Sequence, residues 1–576
     1  MPCTLLLTLV ISLTADGAAP AVTPADALQS ARALVASNPT RAALRTIGAS
    51  FSGAPIEVLV LSGNLLDADK KPSVLLVSGL DGNRPSSVAV SVQAATQLLT
   101  HPELLTSTTY YIIACANPDA SLAGGSDCEE NAGRNRRPVD EDRDGRVDED
   151  APQDINGDGA ITMMRRLAPP ADDPPTHLPD PADSRLMRTP DATKDLRATH
   201  TIYVEGLDTD HDGLIAEDGI GGVDIDRNFP HRWQEFDRTA GPTQLSEPES
   251  QALAQFVLTH PRIVAALVIG RWESLTKTPD SSPRDITGKT PLALEGGDKA
   301  TWEELAQRWR ELSLQSRSQE SDPSGSFALW LYAHRGIPTL ATQLWGRPDA
   351  SAAPAVPPPP VAPAATAETP VAPAPAVAAP PPPATPSNAE EAGWLLWSDR
   401  DQAGRGFIAW TPFDHPTLGK VEIGGFRAGF RSDPPASEIA RLGKAVATFL
   451  GELASKQARV ELRNVTAHSI APGVIELQAE VVNEGWLPTA SAMGKVNSQP
   501  VPIIVRLSTP RDRLLSGQRV TSIQALAGAG GRKSFRWVIR TRAGEPTTLA
   551  VQWEPAGTQH ITISNDATLS QVTVTP

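Results

Sequence analysis

Pro72–Val88 reads PSVLLVSGLDGNRPSSV, and its two halves differ in kind. Val74, Leu75, Leu76 and Val77 form an apolar run of the length a buried strand takes. Ser78 and Gly79 break that run and deliver Asp81, Gly82, Asn83 and Arg84 into a loop at the strand's carboxyl end. In open α/β sheets ligands gather along that edge. The loop is therefore the first place to look for a site.

Working outward, Pro24–Ser37 has Leu28, Ala31, Leu34 and Val35 at helical spacing behind Thr23, which suits an N-cap. Ile47–Leu61 predicts two strands joined around Ser52-Gly53. Val88–Leu99 predicts a helix, Tyr110–Cys115 a buried strand, Ile263–Ile269 another, and Leu340–Trp345 a further one. Ser437–Leu453 places Ile439, Leu442, Val446, Phe449, Leu450 and Leu453 on one helical face. Buried strands alternating with helices predict an α/β domain, a mixed and mostly parallel sheet covered by helices. From Arg459 the pattern changes to short strand-like runs between Gly, Pro and Asn (Val460–Val465, Val474–Val482, Pro502–Leu507, Phe535–Ile539, Leu549–Trp553, Ile561–Ser564). They predict a C-terminal all-β sandwich domain.

The chain has 576 residues, more than one compact core accommodates. A formal net charge of −16 argues against a nucleic-acid partner. Leu5–Leu13 followed by small residues reads as a signal peptide over 1–19, although no Lys or Arg precedes it. Secretion or a periplasmic location is the expectation, and no later stretch is long and apolar enough to span a bilayer. Of the three cysteines, Cys115 and Cys128 are either two reduced thiols or a bridge. Residues 350–389 are Pro/Ala-rich, with runs of four prolines, and form a spacer rather than a packed unit.

The acidity is concentrated in 138–222. Asp140, Asp142 and Asp144 with Gly145 form an Asp-x-Asp-x-Asp-Gly loop; Asp154, Asn156 and Asp158 with Gly159 form a second copy, and Asp208, Asp210 and Asp212 with Gly213 a third. Carboxylates at alternate loop positions converge on one centre, and such hard oxygen donors suit calcium. Each copy has an apolar residue two places after its Gly (Val147, Ile161, Ile215), but none has the Glu of loop position twelve, where Ala151, Arg165 and Gly219 stand. Asp148 or Asp150 stands near that place in the first copy, and Glu217 or Asp218 in the third. The plain alternative is a solvated acidic loop. The repetition favours calcium.

The loop Gly79–Pro85 resembles the first zinc-binding motif of the M14 metallocarboxypeptidases, Gly-x-His-Gly-Asn-Glu-Pro in many bacterial members, with Asp81 in place of the His and Arg84 in place of the Glu. Asn117-Pro118-Asp119, Val223–Phe229 (VDIDRNF), Ser246-Glu247-Pro248-Glu249, which would open a well-capped helix with an acidic first turn, and Gly406–Gly425 also resemble phrases of that family, in order. The resemblance implies that Arg227 matches the arginine holding a substrate's terminal carboxylate, with Asp226 replacing its Asn neighbour. It implies that one of Arg134, Arg136 or Arg137 matches the arginine polarising the scissile carbonyl. It also implies that Gly270 stands at the third zinc ligand, followed by Arg271, and Gln343 at the general base. An amide cannot take a proton from water near neutral pH. Of the ten histidines, the His-Pro pairs at His101, His260 and His415 read as surface or helix-end residues.

These readings divide the chain into a signal peptide (1–19), an N-terminal helix (20–40), a carboxypeptidase-like domain (41–349) with its insertion at 138–222, the spacer, the completion of that domain (390–456) and the β-sandwich (457–576). The resemblance implies an exported pseudopeptidase serving as a binding or scaffolding module. No catalytic set is intact at Asp81, Arg84, Gly270 and Gln343; Arg227, Asp226 and Arg137 are the candidate substrate-binding residues. Calcium is expected and zinc is not. Peptide or protein C-termini are the expected partners. The alternative is an active zinc metallocarboxypeptidase with atypical ligands. Arg84 is expected to stand in for the lost ion's charge by pairing with Asp81 or Asp226.

Overall fold

In a computed structural model, the described residues are 22–122, 133–140, 145–170, 173–191, 193, 196–216, 218–219, 221–319, 322–348, 389–542, 545–565 and 572–575. The expected signal peptide, Cys3, Cys128, Asp142, Asp144, Glu217 and most of the spacer lie outside them.

Six strands build the main sheet: β1 (Ala42–Ala49), β2 (Pro55–Leu61), β3 (Ser73–Val77), β4 (Thr109–Ile113), β5 (Ile263–Ile269) and β6 (Thr339–Thr342). Their order is β1-β2-β4-β3-β5-β6. β1 and β2, and β2 and β4, pair antiparallel; β4 with β3, β3 with β5, and β5 with β6 pair parallel. β3 and β4 are buried along their whole lengths, the signature of strands covered on both faces. Gly79 ends β3 at φ +61°, where a Cβ would come within 2.8 Å of the Ala114 carbonyl oxygen, so only glycine lets the loop leave the sheet beside β4.

Helix Pro24–Ser37 begins with a capping box between Thr23 and Asp26 and packs against helix Ser86–Leu99. Helix Ile439–Lys456 lies on Ser86–Leu99 and touches β3 and β5. Its apolar stripe (Leu442, Val446, Phe449, Leu450, Leu453) joins one core with the residues of β2 to β6. Two helices with no sequence signal singled out above, Lys299–Ser313 and Phe327–Arg335, bury Trp302, Trp309, Trp330 and Tyr332 in the same core.

The acidic insertion is more than loops. Its strands Met163–Leu167 and His200–Val204 pair antiparallel with each other, and the hairpin Phe407–His415/Gly419–Phe426 extends them into a four-stranded sheet. Chain from beyond the spacer thus completes the insertion. His415, expected at the surface, is buried: its Nδ1 accepts from the Thr417 and Leu418 amides, which leaves Nε2 to donate to the Gly206 carbonyl at 2.9 Å. It ties the hairpin to the insertion.

Beyond residue 459 two antiparallel sheets, one of four strands and one of five, enclose a separate apolar core that includes Trp537, Leu477, Val505 and Leu549. This is a β-sandwich. Its short helix Ala492–Asn497 abuts the first domain, where the Asp298 carboxylate accepts the Ala492 amide at 2.8 Å. Among the described residues no helix is long and apolar enough to cross a membrane.

Candidate functional site

Since β3, β5 and β6 lie side by side and parallel, their carboxyl ends bring three loops together: Gly79–Pro85, Gly270–Glu273, and Gln343 just beyond β6. The expected strand through Trp345 stops at Thr342, because Gln343 leaves the ladder to bond with another loop. Its Oε1 accepts the Gln319 amide at 2.8 Å, and its Nε2 donates to the carbonyls of Arg271 (2.9 Å) and Gln319 (3.0 Å). The amide zips three segments together, and both ends of it are in use.

Asp81 and Arg84 are 5% and 7% exposed, and the Arg84 guanidinium donates to the Asp81 carboxylate. The other Asp81 oxygen accepts the Asn83 amide at 2.8 Å. Arg84 points inward, as a charge substituting for a cation must. Its sign opposes binding of a divalent cation at the same spot.

Beneath the pair lies Asp226, 1% exposed, on the short 3₁₀ turn Ile225–Arg227. It accepts the Phe327 amide at 2.9 Å and sits 4.0 Å from the Arg271 guanidinium. Burial pushes its carboxyl up to about 7 against the pull of Arg271, with Asp224 and Asp81 adding to the rise. Asp226 also occupies the space in front of Gly270: a Cβ there would lie 3.1 Å from its Oδ2. The Arg271 guanidinium is buried and donates to the Ser324 (2.7 Å) and Asp226 (3.3 Å) carbonyls.

Two carboxylates went unnoticed in the sequence. Asp433 accepts both the amide (3.0 Å) and the hydroxyl (2.6 Å) of Ser86, at the start of helix Ser86–Leu99, where a helix welcomes negative charge. Burial pushes its carboxyl up to about 7, against the Ser86 bonds and Arg84. No local signal could have found it, since it reaches this helix from the far side of the spacer. Glu273 accepts the amides of Leu275, Thr276 and Gln343 and the Thr342 hydroxyl. Burial raises its pKa while those donors lower it.

Arg227 donates to Asp224 at 3.2 Å and to Asp237 at 2.9 Å. Arg137 donates to the fully buried Glu247 at 3.1 Å, Arg136 offers its amide to Asp119, and Arg134 bridges Asp224 through the backbone. Glu247 is the N-cap of helix Pro248–Thr259 but makes no side-chain cap bond. Its carboxylate accepts from Asn135 and Arg137, and the helix lacks the side-chain cap expected of this motif.

A zinc centre of this kind needs three protein donors and an open position. Here Asp81 is committed to Arg84, Gly270 has no donor, Arg84 is a cation and Gln343 is fully bonded. Among the described residues no group of three His, Cys, Asp or Glu ligand atoms gathers at this edge. The donor set does not fit zinc.

In the acidic loops, Asp140 accepts the Gly145 amide, and Asp154 accepts those of Gly157, Asp158 and Gly159. Asp158 accepts the Ala160 amide, Asn156 that of Asp158, and Asp212 that of Leu214, while Asp148 accepts the Gly221 amide. Asp208 and Asp210 instead join Asp150: one oxygen from each lies within 4.8 Å of the others. Cys115 is a buried free thiol, pushed up to about 12 by burial.

Residues 27–152, ending inside the insertion, match the peptidase M14 family, described as zinc carboxypeptidase. This part of the chain has a carboxypeptidase-like fold. Residues 459–564 of this carboxypeptidase-like chain match a second family, a domain of unknown function numbered DUF8731. No curated protein matches the chain. Among solved structures, carboxypeptidase A from Helicoverpa armigera is 15% identical, with 56% of this chain and 64% of that one covered and a TM-score of 0.32. A metallo-carboxypeptidase from Burkholderia cenocepacia is 12% identical over 55% of this chain and 59% of its own, with a TM-score of 0.28. One from Pseudomonas aeruginosa, in complex with (2-guanidinoethylmercapto)succinic acid, is 10% identical over 73% and 67%, again at 0.28. The carboxypeptidase-like chain thus spans less than two thirds of the first two.

Proposed function

We propose that this carboxypeptidase-like chain is an exported, non-catalytic binding module, a pseudopeptidase whose zinc site has been converted into an internal ion-pair network. The observation that carries this is the buried Asp81–Arg84 pair, which gives the loop its own cation. Asp226 in front of Gly270 and the fully bonded Gln343 support the same reading from the other two loops. At this edge the Asp81 carboxylate is already bonded to Arg84, and Gln343 offers an amide where a base would stand. Calcium is the cofactor this reading keeps, through the acidic insertion.

Arg227 is already paired with Asp224 and Asp237, so it is a poor anchor for a peptide terminus. A cavity of about 300 Å³ is bordered by Phe407, Trp410 and Phe426 and by Arg185 and Arg431, which are themselves paired with Asp183, Asp399 and Glu391. Arg431, in its lining, is followed by Ser432, whose hydroxyl donates to the Asn83 carbonyl of the first loop.

The test is metal analysis of dialysed protein together with assays for release of C-terminal residues from peptides. The expected result is no stoichiometric zinc and no release. Zinc held beside Asp81, or trimming of peptide tails, would overturn the proposal. Export is checked separately by fractionating the source cells.

A further inference from the structure

The three acidic motifs do not act as three separate loops. Asp150, which follows the first motif, is wholly buried, and its Oδ1 accepts the amide (2.8 Å) and the hydroxyl of Thr209, inside the third motif. Its Oδ2 is buried with no hydrogen-bond partner among the described residues, which for a carboxylate is costly unless a cation meets it. Asp208 and Asp210 come to the same point, with one oxygen from each of the three residues within 4.8 Å of the others. Asp208 gives one oxygen to the His211 amide, and Asp210 one to the Asp212 amide. Among the described residues no Lys, Arg or His forms an ion pair with any of the three.

We infer that Asp150 supplies the ligand the third motif lacks, so that Asp150, Asp208 and Asp210 form one composite calcium site joining the two ends of the insertion. The inference rests on the calcium reading of the insertion and adds which carboxylates share the ion. In a loop of this type the carboxylate at position twelve closes the coordination shell. The third motif has Gly219 there, and Asp150 fills the gap from across the insertion. Oxygens no more than 4.8 Å apart can share one calcium, since two on opposite sides of the ion, each about 2.4 Å away, are about 4.8 Å apart. The first and third motifs flank the neck of the insertion, where the Asn135 amide donates to the Val223 carbonyl at 2.7 Å and Arg134 bridges Asp224. An ion at this point would staple the neck just before the turn that carries Asp226.

The experiment is calcium titration calorimetry on the full chain, paired with anomalous diffraction from crystals soaked in terbium, which takes the same oxygen ligands. The expected result is an ion between Asp150, Asp208 and Asp210, with affinity at that site falling about tenfold or more in Asp150→Asn and in the more exposed Asp208→Asn. Asp154→Asn, in the second motif, should leave that site unchanged. Calcium uptake indifferent to Asp150→Asn, or an ion seated within the third motif away from Asp150, would overturn the composite site while leaving the calcium reading standing. No uptake at millimolar calcium would overturn both. If Asp150→Asn fails to fold, the anomalous map of the wild-type protein decides by itself.

Discussion

Two regions of this molecule crowd carboxylates together, and they neutralise them differently. At the carboxyl ends of β3, β5 and β6, Asp81, Asp226 and Asp433 sit among Arg84 and Arg271. In the insertion, Asp150, Asp208 and Asp210 converge with no basic side chain paired to them among the described residues. The first region carries its own cations; the second, on the proposal made above, would receive one. Whether a cluster of acids is a metal site therefore depends less on the acids than on whether the neighbouring loops already hold the opposite charge.

The sharpest way to break this comparison is to remove a cation from the first region. Arg84→Ala leaves the buried Asp81 carboxylate unpaired and should destabilise the fold by about 3–5 kcal/mol, the usual result of breaking a buried ion pair from one side. Denaturant unfolding measures it. A loss below about 1 kcal/mol, the range of exposed pairs, would mean that Arg84 does not perform the neutralising role assigned to it.

Gln343→Glu asks a related question at the third loop. The new carboxylate would keep the Gln319 amide as a donor but leave the Arg271 and Gln319 carbonyls without the amide hydrogens they accept now. A loss of about 1–3 kcal/mol is expected from those unmet acceptors and the buried charge, with no gain of peptidase activity. Unaltered stability together with peptide hydrolysis would mean that the site had kept more of its machinery than its ion pairs suggest.

Much of this was legible in the sequence, for a definable reason. Strands such as Val74–Val77 and Ile263–Ile269 announce themselves because full burial demands unbroken apolar runs, and Gly270 and Gln343 are placed by the resemblance of those segments to the zinc carboxypeptidases. The pairing of Arg84 with Asp81 was also within reach, since the two are three residues apart in one loop. What could not be read was anything closed by distant chain: Asp433 on Ser86, the hairpin 407–426 completing the insertion's sheet, and Asp150 crossing to the third motif. His415 was misjudged on the same account, because its burial is created by Gly206. Local pattern reports which residues a loop contains; it does not report which other loop comes to meet them.

The pH dependence of stability separates the regions next. Asp226 and Asp433 are both pushed up to about 7 in the folded protein, against an ordinary carboxylate value of 3.8. The folded state therefore binds more protons than the unfolded chain between those values, so their contribution to stability is complete below about pH 4 and is lost as the pH rises through about 7. Asp226→Asn should flatten that decline in unfolding curves measured from pH 4 to 8. The wild-type slope persisting in Asp226→Asn would assign the titration to Asp433 or elsewhere.

The smallest effect is the most discriminating, because its sign should differ from that of Arg84→Ala. In calcium-free protein, Asp150→Asn removes a charge from a place where Asp208 and Asp210 repel it, each by about 1 kcal/mol if screened as in water. The asparagine oxygen can still accept from Thr209, and its new amide hydrogens can meet the neighbouring carboxylates. Without calcium the variant should therefore be as stable as the wild type or more so, by on the order of 1 kcal/mol. With calcium the order should invert, because ion binding stabilises only the protein that holds the ion well. Thermal unfolding of the two proteins with chelator and with excess calcium tests both halves. A variant less stable than the wild type by the same margin in both conditions would place Asp150 with Asp81, as a carboxylate the fold itself needs, and the contrast between the two regions would vanish.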